Sequence, residues 1–108
     1  MSAEKAPSQA VQRSLALVEI LTCHAVNGVA HRDLMTLAGY KSKALLSNDL
    51  NNLAALGWAE KLPDGKWRIT DKPLGLFVMF SRHVTEQQER MAALMDRVTA
   101  QANKYTII

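Results

Sequence analysis

The chain has 108 residues, the usual size of a single domain, which excludes most large catalytic folds. Its composition, 48% hydrophobic and 21% charged, is that of an ordinary globular protein and excludes intrinsic disorder. A formal net charge of +3 permits nucleic-acid binding but does not require it.

Cysteine usage and the N-terminal segment predict the compartment. The single cysteine, Cys23, can form neither an intramolecular disulfide nor a Cys-rich zinc site, and it is expected to be a buried free thiol in a reducing compartment. The N-terminal residues lack the apolar core of a secretory signal, and no apolar run is long enough to span a bilayer. A cytoplasmic protein with no membrane partner is therefore expected.

Residues 1–8 are predicted to form a flexible tail, and residues 9–24 to form the first helix. Ser8 supplies the start signal. Asn27 and Gly28 follow the helix and end it, because both residue types tolerate the left-handed conformation. The apolar positions of this helix recur at spacings of three and four residues and are expected to face the core: Val11, Leu15, Leu17, Val18, Ile20 and Leu21.

Two further helices follow. A short one is predicted over residues 31–37, with Leu34 and Leu37 on one inward face. A longer one is predicted over residues 42–56, and Gly57 ends it. Its expected inward positions are Leu46, Leu50, Leu53 and Leu56, with Leu45 as an extension of the stripe. Its other face is polar and comprises Lys41, Lys43, Ser47, Asn48, Asn51 and Asn52.

After Gly57 the hydrophobic period changes to that of strands. Residues 58–62 and 66–70 are predicted to form a hairpin around the turn at residues 63–65, whose Pro-Asp-Gly sequence is a strong turn signal. Trp67 and Ile69 are expected on the core side, and both tryptophans of the chain are expected to be core residues. The basic side of the hairpin carries Lys66 and Arg68, and Lys61 lies on the partner strand.

A long helix with a tail is predicted over residues 73–108, with Asp71 as its cap. About 30 helical residues span about 45 Å, which a small body cannot cover along its whole length. Near the start of the helix its apolar side chains could join the core of the body, but beyond Val84 they need another partner. The predicted homodimer seam comprises Phe77, Phe80, Val84, Met91, Leu94 and Val98.

Two glutamines, Gln87 and Gln101, interrupt this seam, as polar residues do when they set register in a helical interface. The first helix is a further candidate for the same interface. The predicted organisation is therefore a tail over residues 1–8, a domain over residues 9–72 and a dimerisation helix with its tail over residues 73–108.

This order of elements, mostly α with a small β-hairpin, is typical of a winged helix-turn-helix domain followed by a long helix. Within that class, residues 13–75 resemble the N-terminal DNA-binding domain of the isocitrate lyase regulator (IclR) family. The matching segments are residues 14–21 in the first helix, 34–38 in the second, 50–58 in the third and 63–70 in the wing. The resemblance implies that the third helix enters the major groove of DNA and that the wing contacts its backbone.

Four features depart from the family pattern. Ala30 stands where a Ser or Thr usually caps the second helix, and Ser47 and Asn48 stand where Thr with Arg or His usually faces DNA. Asp49 falls at a usually apolar position, where it either lowers affinity for phosphates or lies in solvent. The family's effector-binding domain is absent, so no small-molecule effector is implied.

The amide-rich face of the third helix is the candidate for sequence readout, because Asn can pair with adenine in the major groove. A solvated helix face is the alternative. The expected base contacts are Ser47 and Asn48, followed by Asn51 and Asn52. The expected backbone contacts are Lys41, Ser42 and Lys43 at the helix start and Lys61, Lys66 and Arg68 on the wing. The wing lysines could instead protect a strand edge from pairing.

No catalytic, metal or cofactor motif is found, since His24, His31 and His83 lack the spacing of a zinc site. The function predicted is that of a non-enzymatic, dimeric, sequence-specific transcriptional regulator of bacterial or phage type. Its partner would be double-stranded DNA with an inverted repeat. A winged-helix protein-interaction module and a non-specific nucleoid-type DNA binder remain as alternatives.

Overall fold

The computed structural model describes residues 6–105. It confirms a mostly helical chain with a small antiparallel hairpin and a long C-terminal helix. Residues 1–5 of the predicted tail and residues 106–108 of the C-terminal segment lie outside the described range. The elements are α1 (Gln9–Cys23), α2 (His31–Leu37), α3 (Lys43–Ala55), β1 (Ala59–Lys61), β2 (Trp67–Ile69) and α4 (Asp71–Tyr105).

Helix α1 packs on β2, α2 and α3, and only its second half contributes fully buried side chains. Leu17 and Leu21 are fully buried, but Val11 and Leu15 are 54% and 59% exposed. The prediction that the whole apolar stripe faces the core is therefore wrong for the first two turns. The other fully buried side chains of the core are Leu34, Leu46, Leu50 and, with 2% exposure, Ile69.

Several apolar side chains near helix ends are exposed where burial was predicted. Leu37 is the last residue of α2 and Leu56 directly follows α3, so both lie beyond the part of each helix that the core covers. Leu45 is exposed, unlike its neighbour Leu46. Cys23 is exposed as well, because it lies about 200° around α1 from the buried Leu21. The expectation of a buried thiol is wrong.

The hairpin has the predicted turn but shorter strands. β1 and β2 pair antiparallel with Ala59 opposite Ile69 and Glu60 opposite Arg68. In the turn Gly65 has a φ of +88°, which favours glycine. Trp67 and Ile69 are buried as predicted, whereas the other tryptophan is only half-buried against the core.

A loop contact that the sequence did not predict joins the helices to the hairpin. Val29, between α1 and α2, forms an isolated bridge with Trp67. The two backbone hydrogen bonds have N···O distances of 2.7 Å and 2.8 Å. Gly28 precedes it with a φ of +78°, and a Cβ at this position would lie 2.8 Å from the Trp67 carbonyl oxygen. Gly28 therefore permits the close approach of the two backbones, besides ending the turn after α1.

The described chain divides into two compact units between Leu74 and Gly75. The first unit contains α1 to β2 and the start of α4. There the helix begins at Asp71, with Pro73 in its first turn, and Lys72 Nζ donates a hydrogen bond of 3.2 Å to the Leu56 carbonyl oxygen. The second unit is the rest of α4.

Helix α4 has 35 residues and is therefore about 52 Å long. It contains no buried residue. Within residues 6–105, no helix is long and apolar enough to cross a membrane.

Candidate nucleic-acid interface

The exposed face of α3 is set by the burial of its leucines. Leu46, Leu50 and Leu53 face the core, which leaves Asn48 and Asn51 on the opposite side of the helix. The side-chain amides of Asn48, Asn51 and Asn52 are exposed, and within residues 6–105 they form no hydrogen bond. These three amides therefore have their donors and acceptors available to a ligand. Ala44, which the sequence analysis did not single out, is exposed on the same side.

Ser42 caps the start of α3. Its Oγ accepts a hydrogen bond of 3.2 Å from the Leu45 backbone N–H, so only its hydroxyl proton remains for a backbone phosphate. Lys41 and Lys43 flank this cap and are exposed. The first turn of α3 therefore places two ammonium groups beside the amide face.

Ser47 differs from the other predicted readout residues. It is half-buried, and its Oγ lies 3.0 Å from Nε2 of His31, at the start of α2, in a hydrogen bond. The hydroxyl is therefore engaged with α2 rather than free on the amide face. The sequence analysis weighed His31 only for a metal or catalytic role, and no local signal pairs two residues that are 16 positions apart.

The cations of the hairpin are not equivalent. Lys61 and Lys66 are exposed and form no ion pair within the described chain. Arg68 is paired with Glu60, directly across the strands, with Nη2 and Nε at 2.5 Å and 3.1 Å from Oε1. The carboxylate offsets the charge of Arg68, so the hairpin offers two free cations instead of the predicted three. Pairing the two strands symmetrically about the turn places Glu60 opposite Arg68, so this ion pair could have been predicted from the sequence.

A cleft of about 420 Å³ lies between α3 and the hairpin, next to the start of α2. Its charged lining groups are Lys43 and Lys61, and no carboxylate is among the described residues that line it. The complete lining is His31, Lys43, Ser47, Asn51, Lys61, Gly65 and Trp67. Four of the predicted DNA-contact residues, Lys43, Ser47, Asn51 and Lys61, therefore face a common space.

Asp49 holds α3 in place. It is only 6% exposed, and its Oδ2 accepts hydrogen bonds from Arg13 Nε at 2.8 Å and from Tyr40 Oη at 2.6 Å. The expectation that this residue lies in solvent is wrong, and its charge is paired with Arg13. The pair joins α1 to α3, and Tyr40 adds the segment that leads into α3.

The same contacts set the ionisation of Asp49 and Tyr40. Burial raises the pKa of Asp49, but the hydrogen bonds from Arg13 and Tyr40 outweigh it and hold that pKa below the ordinary aspartate value. Burial and the neighbouring carboxylate raise the pKa of Tyr40 well above its usual range. Asp49 is therefore charged, and Tyr40 neutral, at physiological pH.

Within residues 6–105, no group of three or more His, Cys, Asp or Glu side chains is placed to hold a metal ion. Comparison with protein-family models, curated proteins and solved structures gives no match to this chain. The geometry of the amide face and of the lysines around it is therefore what indicates a function for this chain.

Proposed function

We propose that this protein is a dimeric, sequence-specific DNA-binding regulator of transcription with a winged helix-turn-helix domain. In this proposal α3 enters the major groove and the hairpin acts as the wing on the phosphate backbone. The observation that carries it is the exposed amide face of α3, bordered by lysines at the helix start and on the hairpin that form no ion pair within residues 6–105.

The chemistry of this surface favours DNA over mere solvation. Asn is a poor helix former, so an exposed cluster of three in one 13-residue helix costs helix stability. An asparagine amide can form two hydrogen bonds with adenine N6 and N7, and an alanine such as Ala44 can contact a thymine methyl group. Lysines at both sides of the face would neutralise phosphates and fix the register.

The proposed dimer uses α4. Its predicted seam residues are exposed by 39% at Val84 to 69% at Phe77. Leu76 and Met95 lie on the same stripe and are 58% and 53% exposed, which widens it beyond the predicted set. A two-fold dimer would recognise an inverted repeat. Regulation would then act through occupancy of the site, set by the concentration of the protein or by another protein.

The function is tested by selection from a random duplex pool. Binding is measured by fluorescence anisotropy at two salt concentrations, and the DNA retained at the higher salt is sequenced. The proposal expects an inverted repeat. Binding that disappears with salt and enriches no sequence would indicate a non-specific binder. Absence of binding at low salt would favour a protein-interaction module.

Asn48→Ala is expected to relax sequence preference at one or two base pairs of the selected site. The lost amide pair corresponds to about 1–3 kcal/mol of discrimination. Binding to the selected site and to its single-base variants is compared with wild type by anisotropy. Asn103→Ala, which removes an exposed amide from α4, is the matched control and should leave the preference unchanged. Equal losses on selected and random DNA for Asn48→Ala would contradict the readout role.

Lys66→Ala is expected to weaken binding to all sequences alike and to lower the salt slope by about one ion. Arg68→Ala should have a smaller effect, because Glu60 already offsets its charge. Glu60→Gln should strengthen binding by releasing Arg68 for a phosphate. The slope of log affinity against log salt is measured for each variant, with Lys104→Ala in α4 as the control. A larger slope change for Arg68→Ala than for Lys66→Ala would overturn this order.

A further inference from the structure

The cleft between α3 and the hairpin has the chemistry of an anion site. Lys43 and Lys61 reach it from two different elements, and Asn51 adds an amide. The imidazole of His31 and the hydroxyl of Ser47 form one wall through their hydrogen bond. The only described groups of the lining that can carry charge are two ammonium groups and one imidazole. An oxyanion held there would meet several donors and no repelling carboxylate.

The surroundings of His31 support the same conclusion. Arg32 and Asp33 follow it on α2, but Asp33 lines a separate pocket with His24 and Lys66. The charged groups that face the cleft from the neighbouring elements are Lys43 on α3 and Lys61 on β1. An anion in the cleft would offset repulsion between these cations and a protonated imidazole.

Because His31 is hydrogen-bonded to Ser47, the number of hydrogen-bond donors in the cleft depends on whether His31 is protonated. A neutral imidazole has one donor nitrogen and one acceptor nitrogen, so the hydroxyl of Ser47 can point towards Nε2. A protonated imidazole donates from both nitrogens. Nε2–H then donates to Ser47 Oγ, and the hydroxyl proton must point elsewhere. Protonation of His31 therefore adds a positive charge and frees the Ser47 hydroxyl to donate into the cleft.

We propose that this cleft binds a backbone phosphate of DNA and that His31 is a proton-dependent phosphate contact, positioned by Ser47. The proposal rests on the DNA-binding function proposed above and adds a pH dependence to it. Ser47 then serves the backbone site rather than base readout. Because a bound phosphate favours the protonated form of an imidazole, affinity for DNA increases as pH falls and decreases as pH rises.

The first test compares wild type with His31→Gln on a duplex of the selected sequence. Binding is measured by anisotropy at constant ionic strength from about pH 5.5 to about pH 8. Wild-type affinity should fall about tenfold over this range, and the variant should bind with a nearly constant affinity close to the wild-type value at high pH. His24→Gln and His83→Gln are the matched controls and should keep the wild-type pH dependence.

A second measurement uses the unmodified protein, in case His31→Gln does not fold. The ring-proton NMR signals of His31 are followed during a pH titration with and without duplex DNA. The protonated form should persist to higher pH when DNA is bound. Inorganic phosphate is titrated in parallel. A response to inorganic phosphate with no response to DNA would assign the cleft to a free anion and overturn the proposal.

The outcomes separate this inference from the proposed function. If wild type binds no DNA at any pH, the proposed function fails and the DNA phosphate site fails with it. If wild type binds DNA but His31→Gln keeps the full pH dependence, and the His31 signals do not respond to DNA, the function stands and the phosphate contact is rejected.

Discussion

Asp49→Ala is expected to lower the free energy of unfolding by about 3 kcal/mol. The carboxylate is buried and accepts hydrogen bonds from Arg13 and from Tyr40, so its removal leaves the Tyr40 hydroxyl buried without its partner. Arg13 is partly exposed and can regain water, which keeps the loss below that of a fully buried ion pair. Urea unfolding followed by circular dichroism at neutral pH and fixed protein concentration measures the effect.

The matched control for this substitution is Asp33→Ala. Asp33 is exposed in the first turn of α2 and has no hydrogen-bonding side-chain partner in the described chain, so its loss should cost less than about 1 kcal/mol. Similar losses for the two variants would show that the contacts of Asp49 add little to stability.

The ionisation of Asp49 makes its contribution to the free energy of unfolding depend on pH. Its pKa is lower in the folded chain than in an ordinary aspartate, so its contribution to stability is complete above the ordinary aspartate value. The contribution is lost as pH falls through the lowered pKa. Asp49→Asn should therefore be less stable than wild type at neutral pH and should lose less stability on acidification. Parallel stability curves for the two proteins would contradict this.

The helices and the hairpin turn could be predicted because their signals are local. The leucine spacing in α3, the cap at Ser42 and the turn that ends in Gly65 each depend on residues within a few positions of one another. Burial was predicted less well, because it depends on how far other elements extend over each helix. The stripe of α1 continues through Val11 and Leu15, yet the core covers it only from Leu17 onwards.

The errors at the candidate interface have a common physical origin. Asp49, Ser47 and Arg68 were each assigned from residue type and helix or strand face. Each is engaged by a partner distant in sequence or across the hairpin: Arg13 and Tyr40 for Asp49, His31 for Ser47 and Glu60 for Arg68. Such partners depend on tertiary packing, which periodicity does not encode. Asn48, Asn51 and Asn52 are exposed as predicted, because no other side chain in the described part of the chain forms a hydrogen bond with them.

The apolar stripe of helix α4 is typical of a buried helix face, yet its side chains are exposed. A long helix with an apolar stripe and no buried residue is unstable in isolation, since packing of the apolar face supplies most helix stability in water. The stripe from Phe77 to Val98 therefore implies a covering surface. A second copy of the same helix is the partner that heptad spacing favours, with Gln87 placed in the seam to set register.

Val84→Asp and Met91→Asp are each expected to convert the proposed dimer into a monomer. The dissociation constant should rise by about 100-fold or more, because every dimer would bury two unpaired carboxylates. Light scattering and sedimentation at micromolar concentrations measure the mass. Ala93→Asp is the control, because position 93 lies away from the seam. The change from Ala to Asp lowers helix propensity at least as much as the changes from Val or Met to Asp do. If Val84→Asp and Met91→Asp remain dimeric, the interface lies elsewhere, and the exposed Val11 and Leu15 of α1 are the next residues to test. If Ala93→Asp dissociates as well, the dimer depends on the helicity of α4 rather than on its seam.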